Sequence, residues 1–322
     1  MARLLALFLG FFLAASALAQ DAYPSRPVKF VLPFPAGGPL DLLARLTAAK
    51  LTEQWGKPVV VENVSGGSGS IGANQVARAA PDGYTVLLTV DIPLTMYPAI
   101  AKSLPYDPRK DFRAVASVAR TANGLFVNPA KVSAASTQEL VALAKAQPGK
   151  LTFSSAGIGA PAHFAGELFK SIAGIDMIHV PYKGAAPAMA AAVAGEVDMM
   201  FGPITQGLPQ VKAGKLRAFG VTGTQASPLL PGVRPFVEQG FAGLVVDNFY
   251  PVMVPARTPD NVVNTLSAGL KRVFEDTEVR NRLESAATVI VWDGPDEVLR
   301  NIENDTRRWA DLARKAGIQA PQ

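Results

Sequence analysis

Two short stretches of this chain offer backbone donors where side-chain chemistry is thin. Pro33-Phe34-Pro35-Ala36-Gly37-Gly38 follows the apolar run Val28–Leu32 and precedes the amphipathic run Leu40–Gln54, with Asp41 in its first turn. A helix that starts there leaves unpaired N–H groups and a positive dipole end, which suit a carboxylate or a phosphate. The two glycines permit close approach of backbone to ligand, and Pro39 suits the first helical position. Ser154-Ser155-Ala156-Gly157-Ile158-Gly159-Ala160-Pro161-Ala162-His163 repeats the design, with a hydroxyl from Ser155 and an imidazole from His163. Two such loops on two lobes would grip one anion from both sides.

A third glycine-rich loop, Gly67-Ser68-Gly69-Ser70-Ile71-Gly72, fits the dinucleotide fingerprint, with Asp91 at the end of the next strand as the ribose carboxylate. It belongs to the second strand-helix unit, however, and the first glycine comes late after its strand. The alternative is a Gly/Ser loop on the rim of a cleft, with Ser68 at its lip.

Other chemistry finds little footing. His163 and His179 are the only histidines, cysteine is absent, and no His/Glu spacing suits zinc. No G-x-S-x-G elbow occurs, and no motif places a base beside Ser155. His163 reads as a loop-organising hydrogen bonder and His179 as a strand cap. Asp91 after Leu87-Leu88-Thr89-Val90, and Asp247 before Asn248-Phe249, either point into a cleft to meet a cationic group or are satisfied loop carboxylates. Asp198 sits inside a strand pattern and also reads as a structural carboxylate.

The elements that must position these groups alternate strand and helix, which predicts an α/β architecture with largely parallel sheets. Strands are expected at Val28–Leu32, Val59–Glu62, Tyr84–Thr89, Leu125–Val127, Leu151–Ser154, Asp176–Val180, Val197–Phe201 and Arg217–Val221, with an extended run over Val245–Val254. Helices are expected at Leu40–Gln54, Ile71–Ala80, Ala162–Ala173, Pro187–Ala194, Val262–Phe274, from Thr277 to about Ala286, and Pro295–Ala316. Residues 20–122 plus 248–322 are expected to form one lobe and 123–247 the other. Two crossovers then make a hinge.

Residues 1–19 read as a cleavable secretory signal: Arg3, the apolar run Leu4–Leu13, then Ala17-Leu18-Ala19 before Gln20. The rest of the 322 residues suits two domains of ordinary size without disulfides. A net charge of +5 is scattered singly or in pairs, the pattern of a solvated surface, so nucleic acid is not an expected partner.

Together the segments resemble one family over the whole mature chain: the Bug proteins, periplasmic substrate-binding components of tripartite tricarboxylate transporters. The resemblance rests on Tyr23-Pro24-Ser25-Arg26-Pro27-Val28, the Pro33–Gly38 loop with Asp41 and Ala44-Arg45, and Val61-Glu62-Asn63. Ala80-Pro81-Asp82-Gly83-Tyr84-Thr85, Leu104-Pro105-Tyr106-Asp107-Pro108, His179-Val180-Pro181-Tyr182-Lys183-Gly184 and Gly195-x-Val197-Asp198-x-x-Phe201 extend it. It implies a two-lobed, type II Venus-flytrap binding protein with mixed, mainly parallel sheets, acting without a cofactor and without chemistry on its ligand. The carried-over ligand loops are Phe34, Pro35, Ala36, Gly37 and Gly38 in one lobe and Ser155, Ala156, Gly157, Gly159, Ala160 and His163 in the other. Asp41, Ser68, Thr89, Asp91, Tyr182, Asp198, Asp247 and Phe249 complete the candidate lining.

The implied partners are a small organic carboxylate and the permease subunits of a transporter, or a sensor kinase in a signalling variant, with the receptor a monomer in the periplasm. The chain departs from the family pattern at Asp91, Asp247, Phe249, Pro251 and Arg257. A carboxylate on the pocket wall would repel a simple polycarboxylate, so the expected ligand carries an amine, amide or protonated nitrogen beside its carboxylate, such as an amino acid or pyridine-type acid. An oxidoreductase is the rival from another class.

Overall fold

The computed structural model describes residues 23–320; the expected signal segment lies outside them. The described residues form ten strands: β1 (Val28–Leu32), β2 (Val59–Asn63), β3 (Thr85–Leu88), β4 (Phe112–Val127), β5 (Thr152–Ser155), β6 (Ile178–Pro181), β7 (Met199–Pro203), β8 (Arg217–Val221), β9 (Asp247–Pro255) and β10 (Val289–Asp293). The helices are α1 (Pro39–Trp55), α2 (Ser70–Ala77), α3 (Met96–Ile100), α4 (Thr137–Ala146), α5 (Pro161–Ala173), α6 (Ala185–Ala194), α7 (Ile204–Lys212), α8 (Asp260–Glu275), α9 (Thr277–Glu284) and α10 (Pro295–Ala316).

Local sequence explains the first unit. Leu40, Leu43, Ala44, Thr47, Ala48 and Leu51 recur at helical spacing and form the buried stripe of α1, packed on Val28, Phe30 and Leu32 of β1. Val31 points to the other face, where Ala73 and Val76 of α2 cover it. Thus β1 is buried on both faces, which is why it reads as an unbroken apolar run. Pro39 opens α1, and Gly56 ends it in the left-handed region at φ 61°.

In the first half, β2, β1 and β3 pair parallel, in that order, and β9 joins β3 antiparallel. In the second half, β7, β5 and β6 pair parallel. The central strand β4 belongs to both: from Phe112 to Ala122 it pairs with β9, and from Asn123 onward with β7 on one edge and β8 on the other. β10 pairs with β4 through Ser117–Arg120. Buried Thr222 ties the crossovers together, since its Oγ1 donates to Val246 O at 2.8 Å and accepts from Asn123 N at 3.0 Å.

β4 is far longer than the expected Leu125–Val127, and β10, α3, α4 and α7 were absent from the sequence reading. Residues 112–124 hold small and polar residues without strict alternation because the strand is covered on both faces as it leaves one sheet for the other. The C-terminal helix also bridges the halves. Val298 and Ile302 of α10 pack with Phe112, Phe249 and Met253, whereas Trp309, Leu312 and Ala313 pack in the second-half core, where the Trp309 ring meets Phe164 of α5 at 5.2 Å.

Candidate functional site

The loop after β1 is exposed from Pro35 to Gly37, and its helix begins without a side-chain cap: Gly38 is extended and has no side chain to offer. Pro39 has no N–H. The first-turn amides of Leu40 and Asp41 therefore have no intrahelical acceptor and are available as donors to a ligand. Asp41 does not reach out itself. Its Oδ2 accepts from Gly37 N at 3.1 Å and from Arg45 Nε at 2.9 Å, and its Oδ1 accepts from Arg45 at 3.0 Å and Asn63 Nδ2 at 3.2 Å. The Arg45 guanidinium in particular, helped by the Gly37 amide, holds the Asp41 carboxyl below its usual range. Asn63 also donates to Phe34 O at 3.0 Å. Asp41, Arg45 and Asn63 thus form the brace of the loop.

The loops after β1, β2 and β3 meet. Gly69 has φ 90°, and a Cβ there would stand 3.1 Å from Phe34 Cζ and 3.2 Å from Pro93 Cγ. α2 likewise begins without a side-chain cap, after a single turn over Gly67–Gly69 in which Ser68 takes φ 52°. These are the carboxyl ends of neighbouring parallel strands, the usual position for ligands in open α/β sheets.

The loop after β5 is braced by aromatic rings. His163 and His179 stack at 3.8 Å between centroids, with Phe153 against the outer face of His179 at 4.9 Å. Ser155 Oγ lies 2.7 Å from His179 Nε2 and also accepts from Gly157 N, while His163 Nδ1 accepts from Gly159 N at 3.2 Å. Burial pushes His163 down to about 4 and His179 to about 3, so both rings are neutral at pH 7. Ala160 caps α5 with backbone only, its carbonyl accepting from His163 N at 2.9 Å and Phe164 N at 3.2 Å, and Pro161 has no N–H, which leaves the Ala162 amide as the first-turn donor without a partner among the described residues.

A serine 2.7 Å from an imidazole is the geometry of a nucleophile and its base. Here Ser155 is fully buried and engaged by its own loop, and no described carboxylate orients His179. Among the described residues no cluster of three His, Cys, Asp or Glu side chains suits a metal. Sequence reading missed this Ser155–His179 contact. Its signal is the parallel β5–β6 register, which sets Phe153 opposite His179 and Ser155 opposite Pro181.

The remaining candidates scatter. Thr89 Oγ1 is buried and donates to Val90 O at 2.7 Å. Tyr182 abuts the second loop through its backbone, its N–H donating to Ser155 O at 3.1 Å, while its hydroxyl turns to Glu196. Asp198 joins β7 to β5 by accepting from Thr152 N and Oγ1, both at 2.8 Å, the structural alternative. Phe249 is fully buried under Arg120, whose guanidinium carbon lies 5.9 Å from its ring.

The two carboxylates that depart from the family pattern differ in their surroundings. Asp91 is 1% exposed; its Oδ2 accepts from Thr95 Oγ1 at 3.1 Å, and its Oδ1 has no hydrogen-bond partner among the described residues. Burial, reinforced by Asp305 of α10, pushes it up to about 8, so it is largely protonated at pH 7. It lies in no position to hold a ribose, which removes the second element of the dinucleotide fingerprint. Asp247 faces a different space, a cavity of about 150 Å³ beside the crossovers that none of the loop residues lines.

Second-half and first-half elements touch at the second loop: a Cβ at Gly159 would stand 2.5 Å from Ile100 Cδ1 of α3. Two glycine-rich loops, each braced from behind and each following a parallel strand, thus lead into helix starts without side-chain caps.

Comparison with known proteins places the chain among relatives. Residues 43–318 match the model of the tripartite tricarboxylate transporter family receptor. The chain is 32% identical to BugT of Bordetella pertussis, covering 99% of both. The fold matches R. palustris Rpa4515 with adipate at TM-score 0.79 and 31% identity, over 92% of this chain and 99% of that one. It matches MatC from Rhodopseudomonas palustris with bound malate at TM-score 0.75 and 29% identity, over 90% and 99%.

Proposed function

The chain belongs to the tripartite tricarboxylate transporter receptor family, a family of periplasmic solute-binding proteins and not of enzymes, and from that premise we propose that it captures a small organic carboxylate between its two cradles. The observation that carries this reading is the pair of helix starts, at Gly38 and Ala160, that follow parallel strands and lack side-chain caps. In this reading the first-turn amides of α1 and the exposed backbone of Phe34–Gly38 hold one carboxylate. The Ser155–Ala160 loop closes on it from the other half, directly or through bridging waters. Adipate and malate, bound by the two related structures, set the ligand size to test first.

Closure would then be favoured by contacts made only in the bound form, and the closed surface would be read by permease subunits of a tripartite transporter. The nitrogen expected beside the carboxylate rested on Asp91 and Asp247. Asp91 is buried and largely protonated and Asp247 opens on a separate cavity, so the first ligands to try are plain mono- and dicarboxylates, with amino acids and pyridine acids as the comparison set.

The test is a thermal-shift panel of these acids followed by calorimetry on the strongest. A ligand that binds only the folded state raises the melting temperature. Expected is a rise with at least one dicarboxylate, weakened by Asn63→Ala. No rise with any dicarboxylate or monocarboxylate would sink the reading, as would binding untouched by variants of both cradles.

A further inference from the structure

The cavity beside the crossovers is built from parts of both halves. Arg120 lies on β4 and Asp247 on β9, Val289 and Val291 come from β10, and the loop after β8 contributes Ser227, with Ile204 at the start of α7. Its volume of about 150 Å³ is that of a cavity able to hold a small organic molecule.

Its polar groups are of opposite charge and are not satisfied by each other. Residue 247 pairs with 122, and residue 120 with 249, so Arg120 and Asp247 are diagonal neighbours across the strands. Arg120 acts on the Asp247 carboxyl through space, yet the two form no ion pair. Arg120 spends one nitrogen on Asp293 at 2.8 Å and keeps further N–H donors free of described partners. The Asp247 carboxylate makes no hydrogen bond or ion pair among the described residues. Around these two groups, Ala122, Ile204, Ala287, Val289 and Val291 supply apolar wall.

We propose that this cavity is a second small-molecule site, and that it takes a small apolar α-amino acid. The ammonium is held by Asp247 and the carboxylate by Arg120, with the side chain against Val289 and Val291. The zwitterion meets the unpaired Asp247 carboxylate and the remaining Arg120 donors at once, which neither a simple amine nor a simple acid does. Because the site draws on β10 from the first half and the 223–227 loop from the second, its occupant favours one setting of the halves over another. The proposal does not rest on the cradles.

The test is calorimetry on the whole mature chain with L-alanine and L-valine, beside 3-methylbutanoate and isobutylamine, which each lack one of the two charges. At least one amino acid is expected to bind, with 3-methylbutanoate and isobutylamine ten-fold weaker or worse. Asp247→Asn is expected to weaken the amino acid ten-fold or more, and Ser227→Trp, which fills the cavity, to abolish it; Asp41→Asn in the first cradle is expected to leave it alone. Melting curves confirm that each variant is folded, and if Asp247→Asn is not, Ser227→Trp decides. Absence of amino-acid binding at 10 mM overturns the proposal. So does binding lost in Asp41→Asn but kept in Ser227→Trp, which would place the amino acid in the cradle and support the carboxylate reading instead.

Discussion

The imidazoles of His163 and His179 lie face to face, 3.8 Å apart and within 13° of parallel, so the loop after β5 is braced by two rings that must both stay neutral. In the unfolded chain each takes a proton near 6.5, while burial holds the folded rings down to about 4 and about 3. The unfolded state therefore binds more protons below 6.5, and the stability due to this pair is present above 6.5 and lost as pH falls toward 4. Calorimetric melting between pH 4.5 and 7 should show that decline, and His163→Gln should flatten it. An unchanged slope would mean the rings titrate normally.

Asp91 has the opposite sign. Its folded value, raised to about 8 chiefly by burial, exceeds the ordinary 3.8, so the folded state binds the extra proton. The stability linked to Asp91 is present at low pH and lost as pH rises from about 4 toward 8. Asp91→Asn removes the penalty of charging a buried carboxyl. It should raise the melting temperature at pH 8 by a few degrees, roughly 2–4 °C for each kcal/mol recovered, and change it little at pH 4.5. A lower melting temperature at pH 8 would refute this.

Asn63 should separate bracing from folding. Its amide holds both Phe34 O and Asp41, so Asn63→Ala frees the loop while removing hydrogen bonds worth about 1 kcal/mol each. The expected outcome is carboxylate affinity reduced about ten-fold, with dissociation speeded more than association is slowed. Stopped-flow fluorescence on the wild type and variant checks it.

Gly69 permits the three first-half loops to converge. Alanine there must adopt φ near 90° and press on the Phe34 ring and Pro93, at a cost of about 1–2 kcal/mol for the backbone alone. Gly69→Ala should lower both stability and carboxylate affinity, measured by urea melts and calorimetry. Full affinity would separate this loop from the cradle.

Much of this was legible in the residues. Pro39 and Gly56 bracket α1, the apolar run Val28–Leu32 marks a strand buried on both faces, and Pro295–Ala316 and Arg217–Val221 fall where periodicity sets them. Both glycine-rich loops were visible too, because glycine, proline and a following amphipathic run encode a strand-to-helix turn. What sequence concealed was orientation. Nothing local says that Asp91 is buried against Asp305 of α10, or that Asp247 faces β10, since those neighbours lie far along the chain. The same holds for Ser155 and His179, joined only by strand register, and for residues 112–124, whose mixed pattern reflects a change of sheet within one strand.

The span of α10 bears on how the chain reaches this state. The first half cannot finish its sheet until β9 and β10 exist, and the second-half core lacks Trp309 and Leu312 until almost the last turn is made. Emerging from one end, the polypeptide has no point at which either half is complete. Such dependence on late, distant partners slows folding and leaves unpaired strand edges exposed in the meantime. Unfolding should accordingly occur as one cooperative event, and neither half, cut out at its crossovers, should stand alone.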